Sequence, residues 1–311
     1  MNHDMKEVYA MAYNDELNTK NIKSVIEWSK DVPQYAKDFI SDKMNVVSSN
    51  TLRIYTNNLN TFWSWLSSQQ CNNSLSCLLN ITHDDANAFI DELQNNKGFA
   101  TATVLSIIST ISSLYDYLVA NEYTHDNPFK NVKRPKNDKL PSRILTADEL
   151  KQIYNVAETG INMPKRFLSQ ELTHGTYARN LAIMTLLTRT DLKVSEITSI
   201  NVADINLDKG ILVVTKSNGS IISLQLSNET QKLFKKCLNM RIVMGVSENE
   251  TALFVASQGQ NKHKRISSQT IDGLVKKYAA AAGINDYELI NPNTFRRTFI
   301  TLSGGDNYER I

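Results

Sequence analysis

Apolar residues in the first half of the chain recur at three- and four-residue steps, a period that commits these stretches to helices sharing one core. Leu52, Tyr55, Leu59, Phe62 and Leu66 mark one helical face, and Val104, Ile107, Ile111, Leu114 and Leu118 mark another. Between them, Thr82-His83-Asp84-Asp85 has the form of a capping box and opens a helix through Leu93. The face opposite the second stripe carries Thr103, Ser106, Ser109, Thr110 and Ser113 without a charge. Short hydroxyls of this kind suit close approach to a phosphate backbone or to another helix, and equally a neutral solvated face.

Asn127-Pro128 closes this unit, and a different pattern begins after it. A second capping box, Thr146-Ala147-Asp148-Glu149, starts a new domain, followed by a strongly apolar helix over 181–187. The β-branched runs 211–215 and 221–226 flank Lys216-Ser217-Asn218-Gly219-Ser220 and predict a β-hairpin. Helices follow at roughly 228–240, 268–282 and 293–303. The expected fold is mainly α in two domains, the second carrying a small antiparallel sheet. The boundaries read as a helical lead-in over 1–45, a helical domain over 46–129, a linker over 130–143 and a second domain over 144–311.

The net charge of +2 is unevenly placed. Residues 1–45 hold 6 basic and 8 acidic groups, and residues 46–129 hold 2 and 7. Residues 130–143 hold 6 basic groups against 1 acidic, and the remainder holds 20 against 16. So local a basic strap, with two prolines, fits a polyanion partner held at one place or a solvated linker; charge alone favours the linker. A composition of 41% hydrophobic and 21% charged residues excludes collagen-like and low-complexity chains. Asn, Ser and Thr interrupt the apolar runs, so no membrane span is expected, and the N-terminus lacks a secretory pattern. Cys71, Cys77 and Cys237 suggest neither a disulfide framework nor a metal site, and a cytoplasmic protein is expected.

Gly-rich nucleotide loops, HExxH and GxSxG are absent, and His3, His83, His125, His174 and His263 are scattered; no cofactor or metal is expected. What remains is an ordered series: Leu186-Leu187-Thr188-Arg189-Thr190-Asp191-Leu192-Lys193-Val194-Ser195-Glu196-Ile197, then Lys216 in its hairpin, then Asn291-Pro292-Asn293-Thr294-Phe295-Arg296-Arg297-Thr298-Phe299. This series, in this order and behind a helical domain and a basic strap, resembles the tyrosine site-specific recombinases, the phage integrase family. The family pattern is Thr-Gly-Leu-Arg-x-Ser-Glu after a leucine-rich helix, a lysine in a turn before an apolar strand, and Pro-His-x-Leu-Arg-His-Thr-Phe.

The resemblance implies a helical core-binding (SAM-like) domain followed by an α-rich recombinase catalytic domain. It implies duplex DNA as partner, enclosed as by a clamp, with self-association into a tetrameric synapse and no membrane partner. It also implies a chemistry in which a tyrosine hydroxyl attacks a phosphodiester while two arginines clamp the phosphate oxygens. A lysine protonates the leaving 5′-oxygen and a histidine or lysine assists; the covalent intermediate keeps the bond energy, so no ATP is required. Carried onto this chain, the catalytic positions are Lys193, Lys216, Asn293 and Arg296. DNA contacts are expected from Lys130, Lys133, Arg134, Lys136 and Lys139 in the strap, and from Lys262, Lys264 and Arg265 in a basic turn.

The pattern is departed from at three places. Lys193 stands at the first arginine position and keeps the charge without the planar fork. Asp191 stands where the family has glycine, and Asn293 stands where it has a histidine, bonding without titrating. The Gly-His motif and tyrosine nucleophile fall, by family spacing, beyond Ile311, and Tyr308 lies too close to Arg296 to be that tyrosine. The expectation is a recombinase-type DNA binder inactive in cleavage over these 311 residues, the alternative being a degenerate recombinase serving as a non-catalytic DNA-binding or interaction protein.

Overall fold

The computed structural model describes residues 17–136, 143–162 and 170–303, of which 170–174 and 303 are described by backbone alone. Two compact units contain them, one holding 17–136 and the other the residues from 143 onward.

In the first unit, helix α1 (17–28) leads to α2 (Gln34–Met44), α3 (Ser49–Ser68), α4 (Leu75–Leu79), α5 (His83–Asp91) and α6 (Thr101–Ala120). Short polar side chains start the helices. Ser48 accepts from the Thr51 N–H, Ser74 from that of Cys77, and Thr82 exchanges bonds with Asp85 in the expected capping box. After α5 the chain relaxes into a π turn over Glu92–Asn96 rather than continuing as α-helix to Leu93. Both sequence stripes face inward: Leu52, Leu59, Phe62, Leu66, Val104, Ile107, Ile111, Leu114 and Leu118 are buried, with Tyr55 partly so.

Val25, Tyr35, Ala36, Phe39 and Ile40, from the stretch set apart as a lead-in, join this same core. Burial pushes the Tyr35 phenol up to about 12, although its oxygen accepts from Trp63 Nε1 at 3.2 Å. At 20 residues, α6 is long and apolar enough to cross a membrane by length and composition, contrary to the expectation that hydroxyl residues break every such run. It is the central core helix here, with its stripe buried. Cys71 and Cys77, to which no pairing was assigned, are disulfide-bonded with Cα atoms 6.0 Å apart, closing the loop between α3 and α4. Cys237 is free and buried, its thiol pushed up to about 12 by burial.

The second unit runs α7 (Ala147–Thr159), α8 (Gln170–Arg189), α9 (Val194–Ser199), β1 (Ile205–Asn206), β2 (Ile211–Thr215), β3 (Ile221–Gln225), α10 (Asn228–Val243), α11 (Ser268–Ala281) and α12 (Pro292–Ser303). Thr146 and Glu149 close the second capping box at the start of α7. The strands form one antiparallel sheet in the order β1-β2-β3, with Ile211 opposite Gln225 and Thr215 opposite Ile221. β1, two residues long, carries no period by which the sequence could announce it. Ile183, Leu187, Leu212, Phe234, Phe254, Tyr278 and Phe295 are fully buried around α8, which packs against α7, α10 and α12.

Candidate functional site

Three of the four expected catalytic residues meet where the turn after α8, the β2–β3 hairpin and α12 come together. Thr190 to Lys193 form a non-helical bridge between α8 and α9, and Lys193 is the residue that precedes α9. The Lys193 N–H donates to Glu196 Oε2 at 2.8 Å, the return half of a helix cap, which fixes the Glu196 carboxylate at the start of α9. Its other oxygen, Oε1, accepts from the Ser217 N–H at 2.8 Å and the Ser217 hydroxyl at 2.7 Å. Lys193 Nζ in turn donates to Ser217 Oγ at 2.6 Å. Burial would raise the Glu196 carboxyl, but the Ser217 and Lys193 N–H groups, the Ser217 hydroxyl and the Lys216 charge outweigh it and hold its pKa below the usual carboxylate range.

The hairpin brings Lys216 to the same place. Lys216 N–H bonds the Ser220 carbonyl at 2.8 Å and Gly219 N–H bonds the Lys216 carbonyl at 2.9 Å, closing the turn. Gly219 sits at φ +85°, a left-handed conformation that glycine adopts without steric cost. Lys216 Nζ lies 2.7 Å from Asp191 Oδ1 and 3.8 Å from Glu196 Oε2. From α12, Arg296 Nε donates to the Asp191 main-chain carbonyl at 2.6 Å. A guanidinium oriented through Nε directs its planar edge of Nη groups, the part suited to bidentate oxyanion binding.

Asn293 is placed differently. Asn291 caps α12 by accepting from the Asn293 and Thr294 N–H groups at 3.0 and 3.3 Å, and Pro292 takes the first helical position. Asn293 is exposed one turn before Arg296, on the adjoining face, and its side chain is not hydrogen-bonded into the cluster. Thr298 serves the fold, accepting from the Leu145 N–H at 2.9 Å while fully buried. Sequence reasoning treated Asp191 only as a lost glycine and passed over Ser217. Adjacency to Lys193 and Lys216 was the available signal for both.

Lys130, Lys133, Arg134 and Lys136 are exposed, whereas Lys139 lies outside the described residues. Over residues 130–136 the strap is tied to the first unit, because Val132, with Phe129 just before it, belongs to that core. Arg134 Nη1 reaches Ser109 Oγ at 3.4 Å on the hydroxyl face of α6. That face is divided in use: Asn58 donates to Ser106 and, at 2.8 Å, to buried Thr110. Arg143 is held by Glu149 and Asp286. In the other basic turn, Lys262 and Lys264 are exposed on either side of His263, at φ +71°. Arg265 points inward instead: its guanidinium donates to the Thr198 carbonyl at 2.7 Å, the Ile200 carbonyl at 3.2 Å and Asn201 Oδ1 at 2.6 Å, tying α9 to the turn.

Residues 143–302 match the phage integrase family, and residues 32–122 match the phage integrase N-terminal SAM-like domain. The chain belongs to the phage integrase family. This is the tyrosine recombinase family of DNA recombination and integration. Among relatives, the chain is 24% identical over 263 residues to tyrosine recombinase XerC of Roseiflexus castenholzii, covering 84% of this chain and 76% of the relative. It is 26% identical over 257 residues to tyrosine recombinase XerD of Oceanobacillus iheyensis, covering 82% and 78%. In fold it is similar to the XerH site-specific recombinase bound to its palindromic difH substrate (TM-score 0.64, 17% identity, 94% and 79% covered). It is also similar to a lambda integrase dimer bound to a core site (TM-score 0.59, 16% identity, 87% and 86% covered).

Proposed function

We propose that the chain binds duplex DNA as a site-specific recombinase or integrase of this family, with Lys193, Lys216 and Arg296 receiving one phosphodiester. The observation that carries this reading is that these cations, drawn from three separate segments, gather about Asp191, Glu196 and Ser217. Lys193 and Arg296 would take the non-bridging oxygens, Lys216 would serve the leaving oxygen, and Asn293 would enter only once substrate is bound. Lys130, Lys133, Arg134, Lys136, Lys139, Lys262 and Lys264 supply backbone contacts; Arg265 is left to its internal role. Assembly of several copies on DNA, as in the family's synapse, and an intracellular location beside DNA belong to the same proposal.

These 311 residues are proposed to bind DNA without cleaving it, because Lys193 lacks the fork of an arginine and Asn293 cannot titrate. Lys193, Asn293 and Asp191 favour a second reading, a degenerate recombinase that binds DNA without cutting it. Titration of labelled duplex at two salt concentrations tests binding, which salt should weaken steeply; salt-insensitive binding, or none at low salt, overturns it. A suicide substrate tests chemistry. The unaltered chain should give no covalent adduct, and an adduct would refute the proposed lack of cleavage. Lys193→Arg and Asn293→His, joined to a family-like tail carrying the tyrosine, should restore one. Binding without an adduct in that variant would favour the degenerate reading.

A further inference from the structure

We infer that Asp191 is a positioning residue that holds Lys216 in reserve in the DNA-free protein, so that the Lys216 charge joins the phosphate-binding set only when this carboxylate is displaced. The inference rests on the phosphate-site reading above.

Asp191 stands at the position where the family pattern has a glycine, which would offer Lys216 no counter-charge. Here the carboxylate meets Lys216 Nζ at 2.7 Å, with only 16% of the lysine side chain and 30% of the aspartate side chain exposed. Glu196 is the farther acid at 3.8 Å, and its oxygens already receive Ser217 and Lys193. Asp191 is therefore the group that sets where the ammonium rests. The same residue holds Arg296 through its main-chain carbonyl, so one short bridge between α8 and α9 orients two of the three cations.

A phosphodiester arriving beside Arg296 and Lys193 meets this carboxylate as a like charge. Lys216 has three N–H donors but one charge, and while Asp191 shares it the phosphate gains little from it. Displacing Asp191 requires a phosphate already gripped by the other two cations, which delays Lys216 until the substrate is seated.

The test is a double-mutant cycle in the full 311-residue chain, reading the salt dependence of binding to a fluorescein-labelled duplex of mixed sequence. Each cation that neutralises a phosphate adds about 0.9 to the slope of log affinity against log salt. Asp191→Asn, which keeps the shape and removes the charge, should steepen the slope by up to about 0.9 and tighten low-salt binding several-fold. Lys216→Met should lower the wild-type slope by clearly less than it lowers the Asp191→Asn slope, because on a duplex of mixed sequence Asp191 is displaced in only part of the complexes. Asp191→Glu should keep the wild-type slope. If Asp191→Asn does not fold, Asp191→Gly makes the same comparison with the residue of the family pattern.

Asp191→Asn with unaltered slope and intact binding would overturn the inference and leave the proposed function standing. Lys216→Met flattening the slope equally in both backgrounds would also overturn it. Absence of salt-dependent binding by every variant, wild type included, would remove the phosphate-site reading itself.

Discussion

Arg296 and Asp191 lie 105 positions apart, and Arg296 Nε donates to the Asp191 carbonyl oxygen at 2.6 Å. The bond fastens the first turns of α12 to the bridge between α8 and α9, and it turns a flexible cation into an oriented one. A lysine has neither the Nε donor nor the fork. Arg296→Lys is therefore expected to weaken duplex binding by ~1.5–3 kcal/mol, the range for a hydrogen bond to a charged group, as read by fluorescence anisotropy at low salt. Affinity equal to wild type would place Arg296 outside the DNA contact.

Glu196 ties the hairpin to α9, and it does so as an anion. Its folded pKa lies below the ordinary carboxylate value, so its stabilisation is complete above that value and is lost as pH falls through the lowered one. Glu196→Gln should cost about 2 kcal/mol near neutral pH by urea unfolding. The gap from wild type should narrow progressively below about pH 4. A gap that widens on acidification would contradict the sign.

Phe129 joins the strap to the core of the first unit, its ring 5.6 Å from those of Phe62 and Tyr115. Phe129→Ala should destabilise that unit by ~3–5 kcal/mol and loosen the strap that follows. Thermal melting combined with limited proteolysis near residue 130 reads both effects. Unchanged melting would show that the strap is not anchored there.

Lys133, Arg134 and Lys136 are exposed, Arg134 touching the first unit only through its long bond to Ser109 Oγ. Replacing all three by alanine should leave the melting temperature nearly unchanged. The same variant should lower the salt-dependence slope of DNA binding by about 2–3. A wild-type slope in the triple variant would return the strap to the role of a solvated linker.

Much of this architecture was legible because its signals are periodic or local. The stripes Leu52–Leu66 and Val104–Leu118 had one helical reading each, and Thr82 and Thr146 announced their helices by capping boxes four residues long. The hairpin was legible from β-branched runs around Gly219. Residues 25–40 were not recognised as core, since their apolar positions contact α3 and α6 only through tertiary packing. The disulfide escaped for a related reason: a separation of six positions between Cys71 and Cys77 says nothing until the loop after α3 folds back. At the candidate site, charge type was legible and pairing was not. Arg265 read as a surface cation, although three acceptors far away in the chain receive it. Asp191 read as a lost glycine, although the carboxylate gained is what meets Lys216 Nζ at 2.7 Å.

The phosphate-site assignment is tested most directly by a crystal structure of the chain bound to duplex DNA. The expected result is Lys193 Nζ, Lys216 Nζ and the Arg296 Nη groups within hydrogen-bond distance of oxygens on one and the same phosphate, with the Asp191 carboxylate moved off Lys216. DNA seated with that phosphate elsewhere, and Lys216 still on Asp191 beside an empty Arg296, would contradict it.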